Sequence, residues 1–99
     1  MDFLAKYTSE INSLCKNHKV KTLYAFGSVL TDRFSDQSDV DLVVDFKQVD
    51  LLDYADNYYA LKFSLEKIFN REIDLLEEQA IKNPYFKQNL DKHRQLIYG

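Results

Sequence analysis

Two aspartates one residue apart, Asp39 and Asp41, are the residues of this 99-residue chain whose spacing most clearly favours chemistry. Residues two positions apart on a strand project from the same face, about 6.5 Å apart along it. Two unpaired carboxylates so close repel each other and do not both ionise readily unless a cation lies between them. Mg²⁺ is the simplest cation to expect, because it binds one or two carboxylates and completes its shell with water and substrate phosphates. The pair therefore predicts a magnesium site.

A phosphate-binding turn is predicted shortly before this pair, at Gly27 and Ser28. Gly27 permits torsions and a close approach that a side chain would prevent. Ser28 is predicted to cap a short helix over 28–34, whose free amides and positive dipole end attract anions. This turn and the aspartates would then face each other at one sheet edge and hold a metal-bound nucleoside triphosphate. Ser38 is either a turn former or a supporting group in this nucleotide site that holds Asp39.

A third carboxylate is expected in the segment EIDLL, which is predicted to form a strand over 72–76. A second metal ion that activates an attacking hydroxyl needs a carboxylate roughly 4 Å from the first pair. Asp74 is the candidate, because its strand would pair beside the strand of Asp39 and Asp41 at about 4.8 Å. Glu72 shares its face and competes for the role. We predict that Asp39, Asp41 and Asp74 are both catalytic and metal-binding.

The elements that must position these residues alternate along the chain. Apolar spacing predicts helices over 2–17 and 52–69 and a last helix that begins at Pro84 and includes Leu96 and Ile97, with strands over 20–26, 40–46 and 72–76. With the short helix at Ser28, the order is αβαβαβα in a single α/β domain over residues 1–99. The link between the first two strands is too short for a parallel crossover with a long helix. We therefore expect a mixed three-stranded sheet flanked by helices.

Composition excludes several classes of function. A net charge of −3 argues against broad nucleic-acid binding, since lysines and arginines supply most of that affinity. No apolar run is long enough for a membrane span and the first residues do not form a signal peptide, which together favour a cytoplasmic protein. Cys15 is expected to be a packed thiol. His18 and His93 lie in basic, polar stretches and are expected on solvated faces.

The stretch FGSVLTDRFSDQSDVDLVV, residues 26–44, resembles the signature of the DNA polymerase β-type nucleotidyltransferase superfamily. The similarity is to its shortest members, the minimal nucleotidyltransferases or MNT domains, and it extends over essentially the whole chain. On the matching positions the resemblance implies that Gly27 and Ser28 bind the triphosphate and that Asp39 and Asp41 bind Mg²⁺. It also implies that Asp74 activates the acceptor hydroxyl.

The middle of the motif departs from the family pattern. Many relatives carry a small residue and then Arg-Gly after the Gly-Ser-x start, whereas this chain reads Leu30-Thr31-Asp32. The basic phosphate contact expected at Thr31 is missing, and Arg33 is the substitute from the next turn. We therefore assign Arg33 to the nucleotide-binding set, and the effect of the departure on activity stays open.

The resemblance also implies a partner. Minimal nucleotidyltransferases of the MntA-like kind are antitoxins paired with a helical HEPN toxin, a ribonuclease, and transfer AMP from ATP to one of its tyrosines. The resemblance thus implies an Mg²⁺-dependent protein adenylyltransferase in a hetero-oligomer, with ATP favoured because relatives use it. The alternative is a non-catalytic module that inhibits the toxin by occlusion. Transfer to a small molecule is disfavoured because the chain shows no second domain to hold the acceptor, and nucleic-acid polymerisation because it shows no template-binding domain.

Overall fold

The computed structural model describes residues 2–99, with side chains from residue 3 onward. Its helices are α1 (Asp2–Ala5), α2 (Thr8–Asn17), α3 (Leu51–Phe69) and α4 (Pro84–His93), and its strands are β1 (Val20–Phe26), β2 (Val40–Phe46), β3 (Ile73–Glu77) and β4 (Gln95–Tyr98). Single 3₁₀ turns follow β1 at Gly27–Leu30 and β3 at Glu78–Ala80.

The four strands form one mixed sheet in the order β3-β2-β1-β4. β2 and β3 are parallel and are joined by the long helix α3, whereas β1 is antiparallel to both β2 and β4. The short link from β1 to β2 therefore makes an antiparallel connection, as its length predicts. The mixed α/β architecture with flanking helices is confirmed.

The expectation of three strands is wrong, because the last helix ends earlier than its apolar pattern indicates. α4 ends at His93, and Arg94 is extended with φ −71° and ψ 151°. Leu96 and Ile97 lie in β4, which pairs with the open edge of β1. The sequence QLIY contains β-branched and aromatic residues that suit a strand, and the ladder to β1 satisfies their backbone groups.

The predicted first helix is also divided in two. α1 ends at Ala5, and Tyr7 leaves helical geometry with φ −112° and ψ 14° before α2 begins. The break lets both Phe3 and Tyr7 pack against Phe69, with ring centroids 5.6 Å and 5.2 Å away. Aromatic packing therefore outweighs the continuous helical periodicity here.

The two faces of the sheet have different environments. One face packs against α2 and α3, and its buried residues include Ile11, Cys15, Leu23, Ala25, Leu42, Val44, Leu61 and Leu65. Residues paired across neighbouring strands share a face, so Phe26, Asp41 and Asp74 lie together on the opposite face. α4 covers part of that face, where Phe86 contacts Phe26 edge-on at 6.4 Å. Across the described residues, none of the helices combines the length and the hydropathy that a membrane span requires.

Candidate active site

Asp41 and Asp74 are direct partners in the parallel ladder between β2 and β3. The prediction that Asp74 lies beside the first carboxylate pair is confirmed in position. Glu72 precedes β3 and lies outside this ladder, and its backbone carbonyl accepts the Val40 amide hydrogen at 3.3 Å. Asp39 lies one residue before β2 and is exposed. The amino-terminal ends of the two parallel strands thus bring carboxylates to the same end of the sheet.

The electrostatics of this edge favour a bound cation. Burial raises the pKa of the half-buried Asp41 carboxyl, and the negative charges of Asp74 and then Asp39 raise it further. None of the three carboxylates forms an ion pair with a Lys, Arg or His side chain within residues 3–99. The cluster therefore carries negative charge that no neighbouring side chain of this part of the chain neutralises.

Carboxylate oxygens are the donors that Mg²⁺ prefers, so the residue types fit this ion. In the arrangement that residues 3–99 adopt, however, no three carboxylate, imidazole or thiol groups converge on a common point. Asp39 and Asp74 are exposed, and exposed side chains rotate readily. The metal-binding roles of Asp39, Asp41 and Asp74 therefore stay predictions that rest on donor chemistry and strand register.

Gly27 is required by two features of the site. Its φ of +75° is a conformation that residues with a side chain rarely adopt, and a Cβ atom there would collide with Oδ2 of Asp41. The close approach predicted at Gly27 is thus made in this structure by the Asp41 carboxylate. The glycine sets the position of this carboxylate as well as the shape of the turn.

The helix predicted over 28–34 is wrong. Only one 3₁₀ turn forms, over Gly27–Leu30, and the chain becomes extended at Thr31 with φ −127° and ψ 168°. The amide and the hydroxyl of Thr31 both donate to the Ser28 carbonyl at 2.9 Å, which closes the turn. Ser28 does not cap a helix, and a single turn has no substantial dipole. Its role as a nucleotide-binding residue stays a prediction that rests on its place beside Gly27.

The departure at Leu30-Thr31-Asp32 has a structural explanation. The Thr31 hydroxyl accepts a hydrogen bond from the Arg33 amide at 3.2 Å, in addition to the bond that it donates to Ser28. Thr31 therefore sets the direction in which the chain leaves the turn and the place where Arg33 begins. The exposed Arg33 side chain forms no ion pair in the described part of the chain. Together with Gly27 and Ser28 it lines a cleft that opens beside the turn.

Ser38 belongs to a tight loop directly before Asp39. Its hydroxyl accepts from the Ser35 amide at 3.1 Å, and its own amide donates to the Ser35 carbonyl at 3.0 Å. Ser38 does not line the cleft beside Gly27. The structure therefore places it in the turn that leads into the carboxylates, and its nucleotide-binding role stays a prediction.

Arg71 holds this loop from the other side and was missed by sequence reasoning. Its Nη1 donates to the carbonyls of Ser35 and Ser38 at 2.9 Å and 2.8 Å. The guanidinium lies 4.6 Å from the ring centroids of both Phe3 and Phe34. Because β3 begins two residues later, Arg71 connects the loop that carries Asp39 to the strand that carries Asp74. The sequence signals only that Arg71 follows the end of α3.

A cleft of about 680 Å³ opens beside the glycine turn. The turn side of the cleft includes Gly27, Ser28, Thr31 and Arg33, and the facing side is supplied by α4 through Phe86, Asn89, Leu90 and His93. His93 is exposed, as predicted, and it also lines this cleft. The spacing of the four α4 residues is that of one helical face, and this pattern could have indicated a shared surface.

Comparison with known protein families identifies the class. Residues 10–97 match the family described as "Nucleotidyltransferase domain". The chain is 32% identical over 101 residues to a Methanocaldococcus jannaschii protein named "Putative protein adenylyltransferase", and the match covers 94% of this chain and 98% of that protein. The chain belongs to the nucleotidyltransferase domain family.

Solved structures share the fold. "Structure of putative minimal nucleotidyltransferase" superposes with a TM-score of 0.77 and 24% identity, over 95% of this chain and 92% of that one. A toxin–antitoxin complex with AMP-PNP superposes with a TM-score of 0.70 and 19% identity, over 93% of this chain and 73% of that one. A tri-AMPylated Shewanella oneidensis HEPN toxin in complex with MNT antitoxin superposes with a TM-score of 0.65 and 17% identity, over 96% of this chain and 71% of that one. The resemblance to minimal nucleotidyltransferases is thus confirmed at the level of the fold.

Proposed function

We propose that this protein is a protein adenylyltransferase that transfers AMP from ATP to a tyrosine hydroxyl of a HEPN-type partner. The observation that carries the proposal is the register that sets Asp74 directly beside Asp41, whose carboxylate leaves no room for a Cβ atom at Gly27. The relative named as a protein adenylyltransferase and the neighbours that contain AMP-PNP or an AMPylated HEPN toxin support the donor and the acceptor.

The chemistry divides among the residues of the site. Asp39 and Asp41 would hold Mg²⁺, which supplies charge neutralisation for the triphosphate. The acceptor oxygen attacks the α-phosphorus, the bond between that phosphorus and the α,β-bridging oxygen breaks, and pyrophosphate leaves. Asp74 is exposed and accepts the proton of the attacking hydroxyl. Gly27 and Ser28 position the phosphates, and the Arg33 cation lies at the same turn.

The test is transfer of label from α-labelled ATP, with Mg²⁺, to a HEPN-type protein offered as the acceptor. We expect Asp41→Asn to lower the transfer rate by about 100-fold or more, because several kcal/mol of transition-state stabilisation depend on the metal-binding carboxylates. Glu72→Gln is the matched control, since it removes a nearby exposed carboxylate that lies outside the ladder pair of Asp41 and Asp74. Absence of labelling with wild type, or equal labelling with Asp41→Asn, would refute the proposal.

A second candidate, inhibition of the partner by occlusion, is favoured by exposed apolar side chains on α3. Leu52, Tyr59 and Phe63 are 94%, 50% and 58% exposed, and the rings of Tyr59 and Phe63 stack with centroids 5.8 Å apart. Such a surface suits a protein contact. Full protection of cells by an Asp39→Asn/Asp41→Asn double variant would favour occlusion over catalysis.

A further inference from the structure

Helix α3 has an outer side that no other segment within residues 3–99 covers. Leu61 and Leu65 are buried on its inner side. The outer side presents a row of exposed residues at helical spacing, here called the outer stripe: Leu52, Asp56, Tyr59, Ala60, Phe63 and Lys67. Three of them are large and apolar, and an exposed apolar row of this kind marks an interaction surface.

The outer stripe is complementary to itself when two copies of the chain run antiparallel. Asp56, Ala60, Phe63 and Lys67 follow one another at spacings of four, three and four residues. Because this spacing reads the same in both directions, a second copy related by a two-fold axis sets Asp56 of one chain opposite Lys67 of the other. Ala60 lies opposite Phe63 in the same way. We propose that the outer stripe binds a second copy of this chain as an antiparallel helix pair.

The charges of the outer stripe favour this occupant and this direction. Asp56 and Lys67 form no ion pair with any side chain within residues 3–99. They lie about 16 Å apart along α3, too far to pair with each other. A two-fold antiparallel pair supplies each of them with an opposite charge, at both ends of the contact. A parallel pair would set like charges against each other, so the charges select the antiparallel arrangement.

The apolar part of the stripe fits the same arrangement. The ring of Phe63 stacks on Tyr59 of its own chain with centroids 5.8 Å apart, which restrains its position before any partner binds. A large side chain opposite the small Ala60 lets two helices approach closely. Leu52 extends the apolar contact by one turn beyond Asp56. A single pair of helices buries less surface than a standard protein interface, so the dimer is weak and forms at high protein concentration.

Sedimentation equilibrium of the full chain over a range of concentrations tests the proposal. We expect wild type to associate reversibly into dimers. Asp56→Lys alone and Lys67→Glu alone should each raise the dimer dissociation constant about tenfold, because each replaces two attractive contacts with two repulsive ones. An equimolar mixture of these two variants should associate about as tightly as wild type, since each then meets the opposite charge. Lys62→Glu is the matched control, because Lys62 lies on the same helix but outside the stripe.

The mixture also guards against a trivial loss of dimer, because recovery requires both single variants to be folded. In dilute solution the chain is monomeric, and there these exposed charges contribute little to stability. Phe63→Ala should weaken the wild-type dimer about tenfold as well, because it removes the largest apolar side chain at the centre of the contact.

Three results would overturn the inference. Wild type that stays monomeric at every concentration would refute it. Equal association of wild type and both single charge variants would place the dimer contact elsewhere on the surface. If wild type stays monomeric while Phe63→Ala weakens binding of a HEPN-type protein, the stripe receives that partner instead of a second copy. Adenylyl transfer is measured separately in dilute solution, so the proposed function stands or falls independently of these results.

Discussion

Replacement of Arg71 tests whether the loop before Asp39 is held in place from β3. The change Arg71→Ala removes two charge-assisted hydrogen bonds to the carbonyls of Ser35 and Ser38. It also removes the guanidinium that lies against Phe3 and Phe34. The loop would then keep only its internal serine hydrogen bonds, and the position of Asp39 would no longer be tied to the start of β3.

The expected loss of stability follows from these contacts. At this partly exposed position each hydrogen bond contributes about 1.5 kcal/mol, and each ring contact about 0.5–1 kcal/mol. Against this, Nε of Arg71 is buried and has no hydrogen-bond partner within residues 3–99, which costs about 1–2 kcal/mol. The free energy of unfolding should therefore fall by about 3 kcal/mol in Arg71→Ala. Arg71→Lys keeps the charge and can still donate to the carbonyls, but it lacks the flat guanidinium that lies against Phe3 and Phe34 and so holds the loop less firmly; we expect about half of that loss.

Urea denaturation measures the stability, and calorimetric titration with Mg²⁺-ATP measures the site. We expect the affinity for Mg²⁺-ATP to fall in both variants under conditions where each is folded, because Asp39 follows the released loop. Lys67→Ala is the control, since it removes an exposed cation on the last turn of α3 that forms no ion pair in the part of the chain described here. A change of less than about 0.5 kcal/mol in Arg71→Ala would refute the reasoning.

Three further changes address other parts of the fold. Gly27→Ala should lower the free energy of unfolding by about 2 kcal/mol and weaken Mg²⁺-ATP binding, because it strains the turn and displaces the Asp41 carboxylate. Burial raises the pKa of the Cys15 thiol from 9.0 to about 12. Because the unfolded thiol ionises at lower pH than the folded one, the free energy of unfolding of wild type should fall by about 1.4 kcal/mol per pH unit from pH 9 towards 12, relative to Cys15→Ala. Denaturant titrations at each pH measure this difference. Arg94 donates to both carboxylate oxygens of Glu78, at 2.8 Å and 2.9 Å; Glu78→Gln removes the negative charge and one of these two acceptors and should cost about 1 kcal/mol by thermal or urea unfolding.

Each of these has its own control. Gly99 is the other positive-φ glycine, and a Cβ atom there would meet Lys21 and Thr22 instead of Asp41, so Gly99→Ala should keep wild-type Mg²⁺-ATP affinity. If the free energies of unfolding of wild type and Cys15→Ala change in parallel with pH, the assignment of alkaline destabilisation to the thiol is contradicted. Lys87→Gln removes a longer, more exposed contact to Glu78 at 3.6 Å and should change stability by less than about 0.5 kcal/mol.

The strands that carry the carboxylates could be predicted because their signals are local. VDLVVDF is apolar on both faces and forms a central strand, with bounds identical to those predicted. Asp74 could be placed because a strand, a long helix and a second strand make a parallel unit, which brings the two strands side by side. The prediction of Asp74 beside Asp41 thus rests on chain connectivity as well as on residue type.

The features that escaped prediction depend on contacts between distant segments. β4 forms because the edge of β1 is open, and nothing in the local pattern of Leu96 and Ile97 reveals that edge. Arg71 acts through carbonyls that lie 33 and 36 residues earlier in the chain. His93 lines the cleft only because α4 crosses the face that carries Phe26. The short helix at Ser28 failed for a local reason, since the Thr31 hydroxyl competes for the carbonyl that would continue it.

The departure from the family pattern at Leu30-Thr31-Asp32 therefore has a structural role in closing the turn. Relatives with a basic residue at this point would place a cation inside the turn, whereas here Thr31 closes the turn and Arg33 carries the cation beyond it. Both residues line the cleft that α4 completes.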